Sequence, residues 1–160
     1  FDRFTEYLEC VDGLLRNTTT SFNGTYYKLT EARNEPKGPQ RPRPPICIGG
    51  SGEKKTMPLV ARWADHWNYP AAPSGDFSTN DFEAKRERLY ECCSDISRDP
   101  STIRTSTHLI ITSEMTDSEM RSIAESYASV NLDLLIIYPM APFDSSIIER
   151  SMSVLADLVH

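Results

Sequence analysis

The chain has 160 residues, 39% hydrophobic and 25% charged, with a net charge of −6. That length holds one domain with its own core, and the acidic balance argues against nucleic acid or an anionic membrane surface as partner. No apolar run approaches a membrane span. The four cysteines, Cys10, Cys47, Cys92 and Cys93, form no C-x-x-C pair, so reduced structural thiols and a cytoplasmic location are expected. His66, His108 and His160 show no ligand spacing, and no metal is expected.

A first helix is predicted over 3–16, where Phe4, Tyr7, Leu8, Val11, Leu14 and Leu15 recur on one face. Residues 21–29 read as a small β-hairpin around Asn23-Gly24. Residues 30–45 carry Pro36, Pro39, Pro42, Pro44 and Pro45 and little periodicity, as in an extended ordered loop. Ile46-Cys47-Ile48 is an apolar run without alternation, as in a parallel strand covered on both faces, with Cys47 a core thiol.

A helix over 53–64 packs through Met57, Val60, Ala61 and Ala64. Residues 65–69 form a second strand ended by Pro70, and 71–79 are loop. A helix over 80–95, capped by Asn80 or Asp81, buries Phe82, Leu89, Cys93 and Ile96; of the adjacent Cys92 and Cys93, one faces the core. Arg98-Asp99-Pro100 turns into a strand over 102–112. Thr116 or Asp117 caps a helix over 117–129 with the stripe Met120, Ile123, Ala124 and Tyr127. Residues 132–138 are a last strand, stopped by Pro139 and Pro142. A helix over 144–159 buries Ile147, Ile148, Met152, Leu155 and Val159.

The order is therefore a helix, a small β-hairpin and four strand–helix units. That alternation predicts an α/β fold with a parallel sheet and right-handed crossovers. Four units make a small open sheet or half of an eight-unit barrel. In either case ligands bind at the carboxyl ends of the strands. The first such end is Gly49-Gly50-Ser51-Gly52, lying between a strand and a helix. Glycines let a ligand approach the backbone, and free N–H groups and the dipole at a helix start stabilise phosphate. Ser51, Lys54, Lys55 and Thr56 add donors and charge. A plain tight turn is the alternative.

Residues 44–56, Pro-Pro-Ile-Cys-Ile-Gly-Gly-Ser-Gly-Glu-Lys-Lys-Thr, followed by Val60-Ala61-Arg62-Trp63-Ala64-Asp65-His66-Trp67-Asn68, resemble the luciferase-like monooxygenase family. The nearer similarity is to its deazaflavin-dependent oxidoreductase branch. Residues 20–27 resemble the hairpin of that branch, Cys93 through Arg98-Asp99-Pro100 its helix end and turn, and 132–138 its final strand. Glycine is common in the branch where this chain has Ser97. The resemblance implies a (β/α)8 TIM barrel that binds coenzyme F-420 or FMN at its carboxyl face. Residues 1–160 would be a single partial domain, the carboxyl-terminal half, with the N-terminal half missing. By the same resemblance Gly49, Gly50, Ser51 and Gly52 hold the cofactor phosphate, with Lys54, Lys55 and Thr56 near enough to assist. Trp67 and Asn68 end a strand that faces the cofactor. A core tryptophan and a strand-end bond to backbone are their alternatives.

The expected reaction is hydride transfer between reduced coenzyme F-420 and a small-molecule organic substrate, with the catalytic acid and base in the missing half. An FMN-dependent monooxygenase using oxygen is the nearest rival. A Rossmann dehydrogenase is weakened because no acidic residue ends the second strand. A non-catalytic half barrel that binds a phosphate ligand or a partner is also open. A half barrel leaves two strand edges and its interior bare, so a homodimer or aggregation is expected of it alone.

Overall fold

The computed structural model describes residues 1–70, 78–141 and 144–158. The expected loop residues 71–77, the strand stop at Pro142 and the core position Val159 lie outside the described residues. In chain order the elements are α1 (Asp2–Arg16), β1 (Thr20–Asn23), β2 (Lys28–Ala32), β3 (Cys47–Gly49), α2 (Thr56–Trp63), β4 (His66–Asn68), α3 (Thr79–Asp95), β5 (Arg104–Ile111), α4 (Asp117–Ser129), β6 (Leu134–Pro139) and α5 (Ser145–Val154). Single 3-10 turns cover Pro100–Thr102 and Ala156–Leu158. No described helix is long and apolar enough to cross a membrane.

β1 and β2 pair antiparallel as the expected hairpin. Its loop is held from below, because the Glu6 carboxylate accepts from the N–H groups of Thr25 (2.8 Å), Tyr26 (2.8 Å) and Tyr27 (3.0 Å). Three N–H donors satisfy an anion that water would otherwise solvate, and they hold its pKa below the ordinary value against the opposing effect of burial.

The other strands form one parallel sheet in the order β3-β4-β5-β6. Sequence order and spatial order coincide, with no reversal. A doubly wound nucleotide fold reverses strand order at its binding crevice. A barrel does not, so the topology speaks for the barrel arc.

The helices cover one side. Ile48, Trp67, Leu135 and the odd residues Leu109 and Ile111 of β5 pack with Val60, Phe82, Leu89, Met120 and Tyr127 from the helices. Trp67 stacks on Phe82 (centroids 5.7 Å apart, 7° between planes), and Tyr69 meets both edge-on.

Two polar devices close the layer. Arg43, 6% exposed, donates from Nε to Asp12 (2.5 Å), to the Asp65 carboxylate, and to the carbonyls of Pro44 (3.0 Å) and Trp63 (3.3 Å). It ties the proline-rich loop to α1 and to the start of β4. Arg98 donates to the carbonyls of Ala61 (2.9 Å) and Ala64 (2.7 Å), capping α2. Ser97 stands at φ +55°, the left-handed conformation that a glycine adopts without strain.

Several expected positions differ. Cys47 is exposed, because β3 alternates: Ile48 turns to the helices and Cys47 to the bare side. Cys92 and Cys93 are both buried, since α3 is covered along a wide face. Ile96 is 50% exposed past the end of α3, and Phe4 and Tyr7 stack on each other at the surface. On α5 the buried stripe is Ile147, Ser151 and Leu155; Ile148 and Met152 are exposed. Ser151 tolerates burial by donating to the Ile147 carbonyl (2.6 Å). The α3 cap is Ser78, accepting from Asp81 N, ahead of the expected Asn80 or Asp81. Thr116 caps α4 in a reciprocal box with Glu119.

Candidate functional site

The turn from β3 to α2 is built on Gly50, whose φ is +121°. Its N–H donates to the Asn68 carbonyl (3.1 Å), and its own carbonyl accepts from the Trp67 indole N–H (2.8 Å). Trp67 is fully buried on the helix side, so it supports the turn from behind and does not line the bare face. A Cβ on Gly50 would stand 3.2 Å from the Thr56 methyl, and one on Gly52 2.9 Å from its hydroxyl oxygen. Thr56 fills the space behind the turn that the two glycines leave.

The donors differ from those expected at a helix start. The Gly52 carbonyl accepts from both Thr56 N (2.8 Å) and Met57 N (3.1 Å), and Pro58 has no N–H. The first turn of α2 is thereby satisfied internally. The N–H groups of residues 51–55, in the turn itself, have no acceptor among the described residues. They can bind an anion through the backbone without help from the helix. Glu53 pairs with Lys85 of α3 (2.5 Å), which fixes the outer side of the turn. Lys55 lies over the Phe1 ring, 5.2 Å from its centroid, and Lys54 is exposed.

The bare face of the sheet adjoins this turn. Parallel register stacks Cys47, His66 and Arg104 in one row. Gly49, Asn68, Ser106 and Leu134 form the next; His108 with Ile136 and Ile110 with Tyr138 follow. Leu134 and Tyr138 are 43% and 52% exposed. The Ser106 hydroxyl lies 2.8 Å from Asn68 Nδ2 and 2.7 Å from His66 Nε2. Burial, and then the Arg104 guanidinium, hold His66 below its usual pKa against the pull of Asp133. His108 meets the Tyr138 ring edge-on at 5.8 Å. Asn68, Pro70, His108, Ile110 and Tyr138 line a shallow cavity of ≈ 250 Å³ at the carboxyl ends of the strands. A larger apolar cleft of ≈ 390 Å³ opens on the other side, between α4, α5 and β6, away from the turn.

The sequence-derived set thus divides. Gly49 and Asn68 reach the bare face, Gly50 to Gly52 form its rim, and Thr56 and Trp67 buttress the rim from the helix side. Glu114 is exposed and accepts from Ser113 (2.5 Å). Asp65 lies at the amino end of its strand, bonded to Arg43 and Ile46 N. Tyr138, at the carboxyl end of the last strand, lies where the strand ends place a ligand, whereas Ser106 escaped sequence reasoning. The signal was the alternation Arg104, Ser106, His108 within a run of apolar and threonine residues. Among the described residues no group of three or more His, Cys, Asp and Glu could hold a metal.

A parallel β/α sheet in unreversed order, with the described helices on one side and a glycine turn at its carboxyl edge, is the arrangement of part of a β/α barrel. The model of the luciferase-like monooxygenase family matches residues 1–150, and the chain belongs to that family. An F420-dependent secondary alcohol dehydrogenase, solved with an F420-acetone adduct, shares the fold at a TM-score of 0.75 and 14% identity, over 97% of this chain and 61% of its own. The F420-dependent tetrahydromethanopterin reductase of Methanopyrus kandleri is similar at 0.59 and 16% identity, over 92% and 38% of the two chains. DmoA of Hyphomicrobium sulfonivorans is similar at 0.55 and 15%, over 79% and 30%. The chain therefore spans about three fifths or less of these structures. No match is found among curated protein sequences.

Proposed function

We propose that the chain is the second half of a (β/α)8 oxidoreductase that holds coenzyme F-420 by its phosphate at residues 49–55. In this reading hydride passes between the coenzyme and a small organic substrate over the bare face of the sheet. The observation that carries it is the turn: a positive-φ Gly50 and the unengaged amides of residues 51–55, at the carboxyl edge of an arc open on its inner side. The similarity to an alcohol dehydrogenase that holds an F420-acetone adduct supports the choice of coenzyme. When bound, the coenzyme supplies the hydride chemistry.

This chain's residues do the holding. The amides of residues 51–55 take the anion, Gly49 leaves room for the ring system, and Asn68 offers a polar contact beside it. Thr56 and Trp67 keep the turn rigid, so little ordering remains to be done on binding. The proton donor and acceptor for the substrate belong to strands outside these residues. A reduced-FMN monooxygenase is the second reading, favoured by the description of the family as monooxygenases. The reading includes a cytoplasmic protein without nucleic-acid or membrane partners.

Titration of the full-length protein with F-420 and with FMN tests the proposal. Saturable binding of F-420, weakened by inorganic phosphate and by Gly50→Ala, is expected. Binding of FMN alone selects the second reading, and binding of neither overturns both. Residues 1–160 expressed alone are expected to dimerise or aggregate through the β3 and β6 edges. A monodisperse monomer that melts cooperatively would refute the half-barrel reading.

A further inference from the structure

We propose that His66, Ser106 and Asn68 form a polar relay that decides which side of the Asn68 amide faces a bound ligand: the oxygen when His66 is neutral, the NH2 when it is charged. The identity of the ligand rests on the reading above, whereas the relay itself does not.

Ser106 is the centre of the relay. It is 0% exposed, so its hydroxyl must find partners within the protein. Its oxygen accepts from Asn68 Nδ2 at 2.8 Å, and its one proton needs an acceptor. Among the described residues the acceptor in reach is His66 Nε2, at 2.7 Å. This arrangement requires a neutral imidazole with its proton on Nδ1. It leaves Asn68 Oδ1 beside Gly49, 3.9 Å from the place a Cβ there would occupy, and without a partner among the described residues. The site then presents an acceptor, suited to a heterocycle edge that carries an N–H.

Protonation of His66 places a hydrogen on Nε2. Ser106 loses the acceptor for its own proton, and Asn68 Oδ1 can take it once the amide turns over. Oxygen and NH2 occupy nearly the same volume, so the exchange needs no repacking. Ser106 then accepts from His66 and donates to Asn68, and Asn68 Nδ2 faces the site. The same N–H edge now meets a donor.

The charged and titratable groups facing His66 come from each neighbouring strand: Cys47 in register on β3, Arg104 in register on β5, and Asp133 ahead of β6. Arg104 opposes protonation and Asp133 favours it. With burial added, the neutral state holds at neutral pH.

The test uses the full-length protein and F-420, whose affinity is measured across the titration of His66. Affinity is expected to fall by about tenfold as His66 gains its proton, the cost of one mismatched hydrogen bond. Ser106→Ala keeps the histidine and its charge but is expected to abolish the pH step. His66→Phe carries no charge, yet it removes the acceptor for Ser106 and so is expected to bind weakly at every pH. If His66→Phe keeps the high-pH affinity, the effect is one of charge and the relay is wrong. The relay is also read without ligand, from the side-chain amide signals of Asn68 in an NMR pH titration. They are expected to shift with His66 in the native protein and to stay fixed in Ser106→Ala. Absence of the shift overturns the relay, while its presence in a protein that binds neither F-420 nor FMN leaves the relay standing and refutes only the assigned cofactor.

Discussion

The two sides of the four-stranded sheet are made by the same strands, one residue out of step, and they differ in almost every property. The helix side carries Ile48, Trp67, Leu109 and Ile111 in a dry layer with stacked and edge-on aromatic rings. The bare side carries Cys47, His66, Asn68, Arg104, Ser106 and His108, with hydrogen bonds running across strands and Leu134 and Tyr138 left exposed. In a parallel strand successive side chains alternate between faces. One residue of register therefore separates a position packed in the core from a position open to a ligand. The glycine turn is where the sides meet: Gly49 opens on one, and Trp67 and Thr56 hold Gly50 and Gly52 from the other.

Substitutions on the two sides should therefore separate stability from ligand affinity. The largest effect is expected for Trp67→Ala, about 3–5 kcal/mol of stability by chemical denaturation, since a fully buried indole leaves a cavity and an unpaired Gly50 carbonyl. If instead only ligand affinity falls, Trp67 belongs functionally to the bare side. Arg43→Met should cost about 2 kcal/mol, because it removes a buried guanidinium that joins Asp12 and Asp65 to the Pro44 and Trp63 carbonyls. Gly50→Ala should cost roughly 1–3 kcal/mol through its positive φ. Gly49→Ala sharpens the contrast. Its methyl would meet nothing nearer than the Asn68 carbonyl oxygen at 3.8 Å, so melting should be unchanged while affinity for the proposed cofactor drops.

Stability should also fall with acid in two separate windows. His66 has a folded pKa below its ordinary 6.5. Its contribution is full above 6.5 and is lost as pH falls through the lower folded value. Asp65 behaves alike further down. Burial raises its pKa, but the bond from Arg43 and the Ile46 N–H outweigh it, so the folded value lies below the ordinary 3.8. Its contribution is full above 3.8 and is lost at more acid pH. Replacing His66 should remove the upper window alone in a pH series of melting curves. The smallest effect is a gain: Ser97→Gly should add about 1 kcal/mol by relieving the left-handed residue after α3.

Much of the fold was legible because its signals are local. The strand–helix alternation, the hairpin at Asn23-Gly24 and the Thr116 cap each follow from a few neighbouring residues. The misplaced residues all lie where exposure depends on what stands opposite. Ile148 and Met152 have the spacing of a core stripe, yet α5 turns Ile147, Ser151 and Leu155 inward. Cys47 sits in an apolar run that reads as covered on both faces, and one face is bare. At the site, the glycines were visible, but not that Gly52 would take up the Thr56 and Met57 amides and leave those of residues 51–55 free.

The sequence by itself determined the order of elements, the parallel sheet and the glycine turn, because periodicity and backbone freedom are properties of short segments. Only the tertiary structure decided which side of the sheet stays open and that His66, Asn68 and Ser106 meet on it. Those residues are joined by strand register across some forty positions of chain. Register is set by how whole strands pack against the helix layer, which no short segment encodes.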